Sequence, residues 1–450
     1  FHDIIPGSSI REVYQDTNKA HDRLLAACDA LEAEFAAALP AEAGSVTLFN
    51  SLSEEFVGAV KLPASFAGRG AEVGGTAVAT QVEDGAVVAQ VRIPAQGFIT
   101  VRPAGAPGAS AANGATLENE LVRYVFAADG TLTSAFDKTT GTELLKGPGN
   151  RVTLYHDRPL FWDAWDIDKF YKEERIADVA FTVEKLGAGA VRSRLRLSGK
   201  VGASTIEQIV TLEAGSRRLD FRTSVDWREK NRMLRVAFPA GLHAERASCE
   251  IQYGFLQRAT HTNTSWDMAK FEVPAHRWVD ISEADRGLAL LNDCKYGYSI
   301  HQNVLDLALL RSPTNPDPVA DQGAHSFTYS LLAHAGDLAA GGVVREAGRL
   351  NQPPVAFAGR GAPSTAIPVS IAGGQGVELA VVKRAEKAEQ VVIRLVETRG
   401  MRSSATVRLA KPGRLVACDL LEWTDGAATV AAAEHRVELA PFEIRTYKLG

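Results

Sequence analysis

A mainly β, multi-domain architecture preceded by one long helix is what this 450-residue sequence predicts, and three observations predict it. Residues 8–39 place apolar side chains at Ile10, Val13, Ala20, Leu24, Ala27, Leu31, Phe35 and Ala38, the three–four spacing of one helix face. After Gly44 the texture changes to short alternating segments separated by Gly, Pro and Asp, the pattern of antiparallel strands. A chain of this length exceeds one ordinary core, so two to four domains are expected.

The elements follow in order. Ser9 and Glu12 fit a capping box behind Pro6, and Pro40 and Gly44 close the helix. Its apolar stripe needs partner helices, and no second stripe in the chain is as strong. VTLFN, FVGAVKLP, TAVATQVEDGAVVAQVRIP and GFITVRP then read as strands of a small β-domain. The small-residue run PAGAPGASAANGA (103–115) reads as a linker. From Leu117 to His334 the strands are longer, beginning with a hairpin turned at Asp129-Gly130, and suggest a large two-sheet sandwich. A Gly/Ala-rich break near 335–362 precedes a last β-unit containing IPVSIAG, GVELAVVKRA and EQVVIRLVE. The domain reading is 1–44, 45–110, 111–345 and 346–450. The chain starts at Phe1, inside what reads as a functional loop, so we expect the second half of a longer protein.

Composition excludes several classes. Hydrophobic content is 46%, charged content 23% and net charge −5, with no basic stripe for nucleic acid. No apolar run approaches a membrane span, and the polar first residues do not read as a signal peptide. Cys28, Cys249, Cys294 and Cys418 are scattered without CxxC spacing, which fits isolated thiols in a reducing, cytoplasmic compartment. There is no Walker loop, GxGxxG or GxSxG elbow.

Four clusters can carry chemistry. His2-Asp3, ahead of the helix, offers an imidazole to a metal and a carboxylate to a hydroxyl, or is a capping pair. DRPLFWDAWDID (157–168) holds four aspartates and two tryptophans, where aromatics make up 7% of the chain. Carboxylates accept from sugar hydroxyls and aromatic faces stack on the ring, so Trp162, Asp163, Trp165, Asp166, Asp168 and Tyr171 suit a carbohydrate. The other reading is a loop whose aspartates cap turns while its tryptophans point inward. His261, Asn263, Trp266, Asp267, His276 and Trp278 read better as a structural polar network than as a metal site, since no third ligand lies at short spacing. Arg311, at the end of LDLALLR beside Asn315, Asp317 and Asp321, is either a hydrogen-bonding group on a functional rim or one half of a surface ion pair.

In order and over nearly the whole chain, FHDIIPGSSIREVY, LENELVRYVFAADGTLTSAFDK, HDRPLFWDAWDIDKFY, THTNTSWDMAKFEVPAHRWVD, LLNDCKYGYSIHQNVLDLALLRSPTNPDP and DQGAHSFTYSLLAH resemble the C-terminal half of glycoside hydrolase family 38. These are the retaining class II α-mannosidases, and the likeness is to their cytosolic and bacterial branch. The resemblance implies an upstream catalytic domain, a three-helix bundle containing the helix 8–39, and β-sandwiches, the largest a galactose-mutarotase-like supersandwich. It implies hydrolysis of terminal α-linked mannose through two carboxylates and one Zn²⁺ held by two His and two Asp. His2 matches one zinc ligand and Asp3 lies close to the sugar in relatives. Trp165, Asp166 and Arg311 are the expected sugar-contacting residues. The nucleophile, acid/base and remaining ligands match nothing here, so the chain alone is expected to be inactive, forming one wall of a site completed by the catalytic domain. The expected partner is a mannose-containing oligosaccharide, with no membrane or nucleic acid, and homo-oligomers are left open. Two alternatives remain: a non-catalytic carbohydrate-binding module, and an epimerase-like supersandwich using His261 or His325 with Asp267.

Overall fold

The computed structural model describes residues 2–111, 114–364 and 368–450, so Phe1, two residues of the expected linker and the first residue of IPVSIAG lie outside it. The chain divides into two compact units: residues 1–38, 109–247 and 258–341 form the first, and residues 39–108, 248–257 and 342–450 the second. Nearly every element after the first helix is an antiparallel strand, as the alternation predicts.

In the first unit the helix runs from Arg11 to Ala38 and buries none of its residues. Leu24, Leu25 and Leu31 are all more than 60% exposed, so the apolar stripe has no cover among the described residues. The expected capping box does not form. With the helix starting at Arg11, Ile10 is the flanking residue: its carbonyl accepts from Val13 N at 3.1 Å. The Ser9 amide instead donates to the Tyr14 hydroxyl at 3.2 Å, and Ser9 Oγ is buried without a partner among the described residues.

Two large sheets follow. One has six strands in the order Arg175–Asp178, Arg151–His156, Arg232–Pro239, Val304–Arg311, Gly297–Ser299 and Val273–Pro274. The other includes, side by side, Phe181–Ala188, Arg192–Val201, Ser204–Glu213, Arg218–Trp227, Gly323–Ala335, Arg286–Asn292 and Trp278–Ser282. Phe238 of the first sheet lies 5.9 Å from Phe221 of the second, ring centre to ring centre, and Phe221 stacks on Tyr329 at 5.0 Å, so the sheets face each other across an aromatic core. Inside it, Tyr329 donates to Asn150 Oδ1 (2.7 Å) and accepts from Gln208 Nε2 (2.5 Å), which keeps these buried polar groups paired. A smaller sheet carries the expected hairpin: Val122–Phe126 and Leu132–Asp137 join through Asp129, whose carboxylate accepts from the Thr131 amide at 3.0 Å, and Gly130 at φ +80°.

The second unit holds two further pairs of sheets. Val46, Leu48, Phe66, Val91, Ile93 and Val101 fill the core of one; Val369, Ile393, Leu395, Val407 and Leu415 fill the other. The Gly/Ala-rich break near 335–362 is ordered structure instead. It contains the helix Val343–Asn351, followed by the strand Val355–Arg360, which pairs with Ala41–Phe49 at the edge of the first of these sandwiches. Val343 and Ala347, four residues apart, anchor the helix by burial. Small residues in this stretch hid that face.

Candidate functional site: a loop wall at one end of the six-stranded sheet

The termini of three adjacent strands meet at one end of the six-stranded sheet. Tyr155 pairs with Met233, and Met233 with Arg311. The segment 157–170 leaves the first of these strands, and 312–322 leaves the third, so the sheet delivers both loops to the same place. Neighbouring strands stand about 4.8 Å apart, which fixes their approach.

Arg311 ties them together. Its guanidinium grips both carboxylate oxygens of Asp157, the Nη2–Oδ1 contact being 3.1 Å, and Nη2 also donates to the carbonyls of Asp163 (3.0 Å) and Asp166. Asp157 is fully buried while the Arg311 side chain keeps 20% of its surface open. Burial pushes the Asp157 carboxyl above its ordinary value, against the opposing pull of Arg311. Nη1 of Arg311 makes no hydrogen bond among the described residues, so one N–H edge of the fork stays available.

The aspartates of DRPLFWDAWDID divide by task. Asp163 Oδ2 accepts from the Thr314 amide (2.6 Å), the Thr314 hydroxyl (3.2 Å) and the Asn315 amide (3.0 Å), stapling one loop to the other. Asp168 accepts from the Phe170 amide at 2.7 Å, and Asp166 from the Ile167 amide at 2.9 Å. These are turn-capping roles. The tryptophans do not turn inward: Trp162 is 74% and Trp165 55% exposed, their ring centres 6.2 Å apart, beside exposed Leu160, Phe161 and Phe170. The loop thus combines both readings of its sequence, aspartates that hold shape and aromatic faces in solvent. Tyr171 instead is buried and donates to Glu272 at 2.6 Å.

Trp165 also reaches the start of the chain. Its indole Nε1 donates to Ser8 Oγ at 2.6 Å, and Ser8 Oγ in turn donates to Asp3 Oδ1 at 3.3 Å. The Ser8 amide bonds the Asp3 carbonyl at 2.8 Å. His2 and Asp3 are exposed on this turn. Ser8 was not singled out by sequence, and a contact across 157 positions leaves no local signal. Next to it, burial raises the Tyr14 hydroxyl pKa, and the charges of Asp321, Asp317 and Asp3 add to the shift. Asp321, with backbone φ +59°, also has its carboxyl raised by burial and by Asp317, against His325, Lys295 and Arg311. Asp3, Trp165, Asp166 and Arg311 are therefore brought to one locality.

Among the described residues no group of three or more His, Cys, Asp or Glu could hold a metal ion. His2 alone does not make a zinc site, which takes three or four protein ligands. The cluster at 260–280 is held by its own network: Thr264 and Asp267 form a capping box on the helix Ser265–Ala269, and the Thr264 hydroxyl bond holds the Asp267 carboxyl below its ordinary value. His261 Nδ1 stands 3.7 Å from that carboxylate, while His325 Nε2 bonds the Asp321 carbonyl at 2.8 Å.

Comparison with known proteins bears on this geometry. Residues 117–319 match the family 38 C-terminal domain of glycosyl hydrolases, and residues 376–447 the family 38 C-terminal β-sandwich domain. The chain is 39% identical over 346 residues to alpha-mannosidase 2C1 of Mus musculus, covering 74% of this chain and 33% of that protein. It is 29% identical to alpha-mannosidase G of Dictyostelium discoideum, covering 100% and 47%. The crystal structure of an alpha-mannosidase from Enterococcus faecalis V583 shares the fold, with a TM-score of 0.76 at 16% identity over 98% of this chain and 61% of that one. The chain thus spans between a third and a half of these curated relatives' length. Over both matched segments it belongs to the C-terminal region of glycosyl hydrolase family 38.

Proposed function

We propose that this chain forms the substrate-facing wall of a retaining, zinc-dependent α-mannosidase, acting on terminal α-linked mannose in cytoplasmic oligosaccharides. The observation that carries this reading is the chain of contacts Trp165–Ser8–Asp3, which joins the aromatic loop to the turn bearing His2. Exposed Trp162 and Trp165 offer stacking faces for the C–H side of a sugar, Asp3 accepts from a hydroxyl, and Nη1 of Arg311 donates to another. Asp166 contributes its backbone carbonyl to the Arg311 clamp and its position at the rim. Zinc, when held by His2 together with ligands from an upstream catalytic domain, orients and polarises the sugar. Free Cys28, Cys294 and Cys418 accord with a reducing compartment.

No carboxylate pair in this reading serves as nucleophile and acid/base, so the isolated chain is inactive. An aryl α-mannoside assay with added zinc should give no turnover for the 450-residue chain. The longer protein, including the upstream region, should turn over and lose activity in His2→Ala. Turnover by the chain alone would refute the division of labour, and an unaffected His2→Ala would remove the zinc role. The binding-module reading is favoured only by the exposed tryptophans. Mannose titrated into the chain separates it, since a self-sufficient module binds strongly without upstream sequence.

A further inference from the structure

The solvent face of the large sheet carries an open trough of ≈ 890 Å³, lined by the strands Phe181–Ala188, Arg192–Val201, Ser204–Glu213, Arg218–Trp227 and Gly323–Ala335. One row of side chains crosses all five strands in direct register: Thr182 beside Ser198, Ser198 beside Glu207, Glu207 beside Ser224, and Ser224 beside Ser326. Every member is exposed. At strand spacing the row is roughly 19 Å long. None of its four hydroxyls makes a hydrogen bond among the described residues, and Glu207 sits 3.4 Å from Arg196 in an ion pair. Hydroxyls elsewhere in the same unit are used internally: Ser330 donates to Asp220 at 2.7 Å and Thr153 to Asp178 at 2.6 Å.

The chemistry of the trough narrows its occupant. Lys200 is the one Lys or Arg among the lining residues, and a single cation disfavours phosphates and nucleic acid. The row has no large apolar side chain to receive a hydrophobic helix, and a sheet face leaves no unpaired backbone for an added strand. Evenly spaced hydroxyls around one carboxylate match a neutral, polyhydroxylated ligand, with Glu207 accepting from adjacent hydroxyls. The trough also adjoins a loop of the candidate wall, because the segment 312–322 runs directly into the strand Gly323–Ala335. His325 of that strand lines the trough and bonds the Asp321 carbonyl at 2.8 Å.

We infer that this trough is an extended subsite for the oligosaccharide beyond its terminal sugar, recognised by the Thr182–Ser198–Glu207–Ser224–Ser326 row. The inference rests on the mannosidase reading for the sugar at the wall and adds where the rest of the glycan lies. Without an aromatic platform the subsite binds through polar contacts alone, so its contribution is modest and best seen as a length effect.

The test titrates the 450-residue chain with methyl α-mannoside and with a linear α-mannotetraose, followed by calorimetry and ligand-observed NMR. The tetraose should bind about tenfold more tightly, the size of one charge-assisted hydrogen bond. Glu207→Ala, which removes the acceptor, and Ser224→Ile, which fills the trough at an exposed strand position that favours β-branched residues, should each abolish that advantage. Neither should change methyl α-mannoside affinity. A tetraose no tighter than the monosaccharide, absent binding of both ligands, or an advantage that survives both substitutions overturns the subsite. The two readings fail separately. If Trp165→Ala leaves methyl α-mannoside binding intact while the trough variants remove the length effect, the wall reading falls and the trough stands.

Discussion

Two arginines on neighbouring strands of the six-stranded sheet meet aspartates in nearly the same way and do different work. Arg235, 1% exposed, donates Nε to Asp306 Oδ1 (2.7 Å) and Nη1 to Glu272 Oε2 (3.0 Å), beneath the Tyr171 ring at 5.4 Å. Lys172 completes the cluster, 3.0 Å from the other Asp306 oxygen. Arg311 likewise grips one buried aspartate, but its remaining donors go to the carbonyls of a surface loop and one nitrogen has no partner among the described residues. The first cluster is closed on itself and holds sheet and loop base together. The second is open on one side, where a ligand hydroxyl can complete it. Charge, pairing and strand position are common to the two arginines; unfilled hydrogen-bonding capacity is what sets them apart.

The largest break in this comparison comes from the closed cluster. Arg235→Met should remove about 3–5 kcal/mol of stability, because it leaves Asp306 and Glu272 buried without their cation. Urea denaturation of the purified chain measures it. Asp306 adds a sign: its carboxyl is held below the ordinary value despite burial, chiefly by Arg235 and Lys172. A lowered carboxyl contributes stability present above its unfolded value and lost as pH falls through the folded one. The difference between the native chain and Arg235→Met should therefore narrow in acid. A loss under 1 kcal/mol would show that the cluster tolerates opening.

Arg311→Met should cost somewhat less, about 2–4 kcal/mol, since Asp157 is buried but the arginine is partly in solvent. Here the carboxyl is already raised by burial. A raised carboxyl contributes stability present at low pH and lost as pH rises through its folded value. Without Arg311 that value climbs further, so the variant's deficit should be greatest at neutral pH and shrink toward pH ~5. The matching readout is sugar binding, which should fall with the loop. Asp163→Ala comes next, at about 1–3 kcal/mol, because it strands the Thr314 and Asn315 amides. Limited proteolysis between 157 and 170 should accelerate in that variant, and an unchanged cleavage rate would show that the loops do not depend on this staple.

The same contrast explains what the sequence disclosed. Strands were legible because alternation encodes them locally, and the exposed stripe of the first helix was legible as a face in need of cover. Arg311 stood out because it ends an apolar strand beside Pro and Asp. Its true partner, Asp157, lies 154 positions away inside a stretch whose other aspartates drew equal notice. Ser8, the bridge between Asp3 and Trp165, is an ordinary serine in a Gly-Ser-Ser turn. The Arg235 cluster leaves no such trace: in RMLRVAFP, Leu234, Val236 and Phe238 share the face toward the aromatic core, and Arg235 lies on the opposite face, where an arginine is ordinary until Tyr171, Glu272 and Asp306 cover it. The strand Val355–Arg360 could not be assigned from its own residues, since its pairing with Ala41–Phe49 is a long-range choice.

The smallest expected effect is the most selective. Trp165→Phe keeps an exposed aromatic face but deletes the indole N–H that reaches Ser8. The ring is more than half in solvent, so stability should change by less than about 1 kcal/mol. If the face alone matters, mannoside binding and turnover by the longer protein are unchanged. If Trp165 also acts through Ser8 to hold the turn carrying Asp3 and His2, turnover falls several-fold, Trp165→Phe and Ser8→Ala are non-additive, and raising zinc restores part of the loss. The double-mutant cycle on turnover, with its zinc dependence, decides between a stacking platform and a strut for the turn carrying Asp3 and His2. The strut is the outcome the 2.6 Å bond favours.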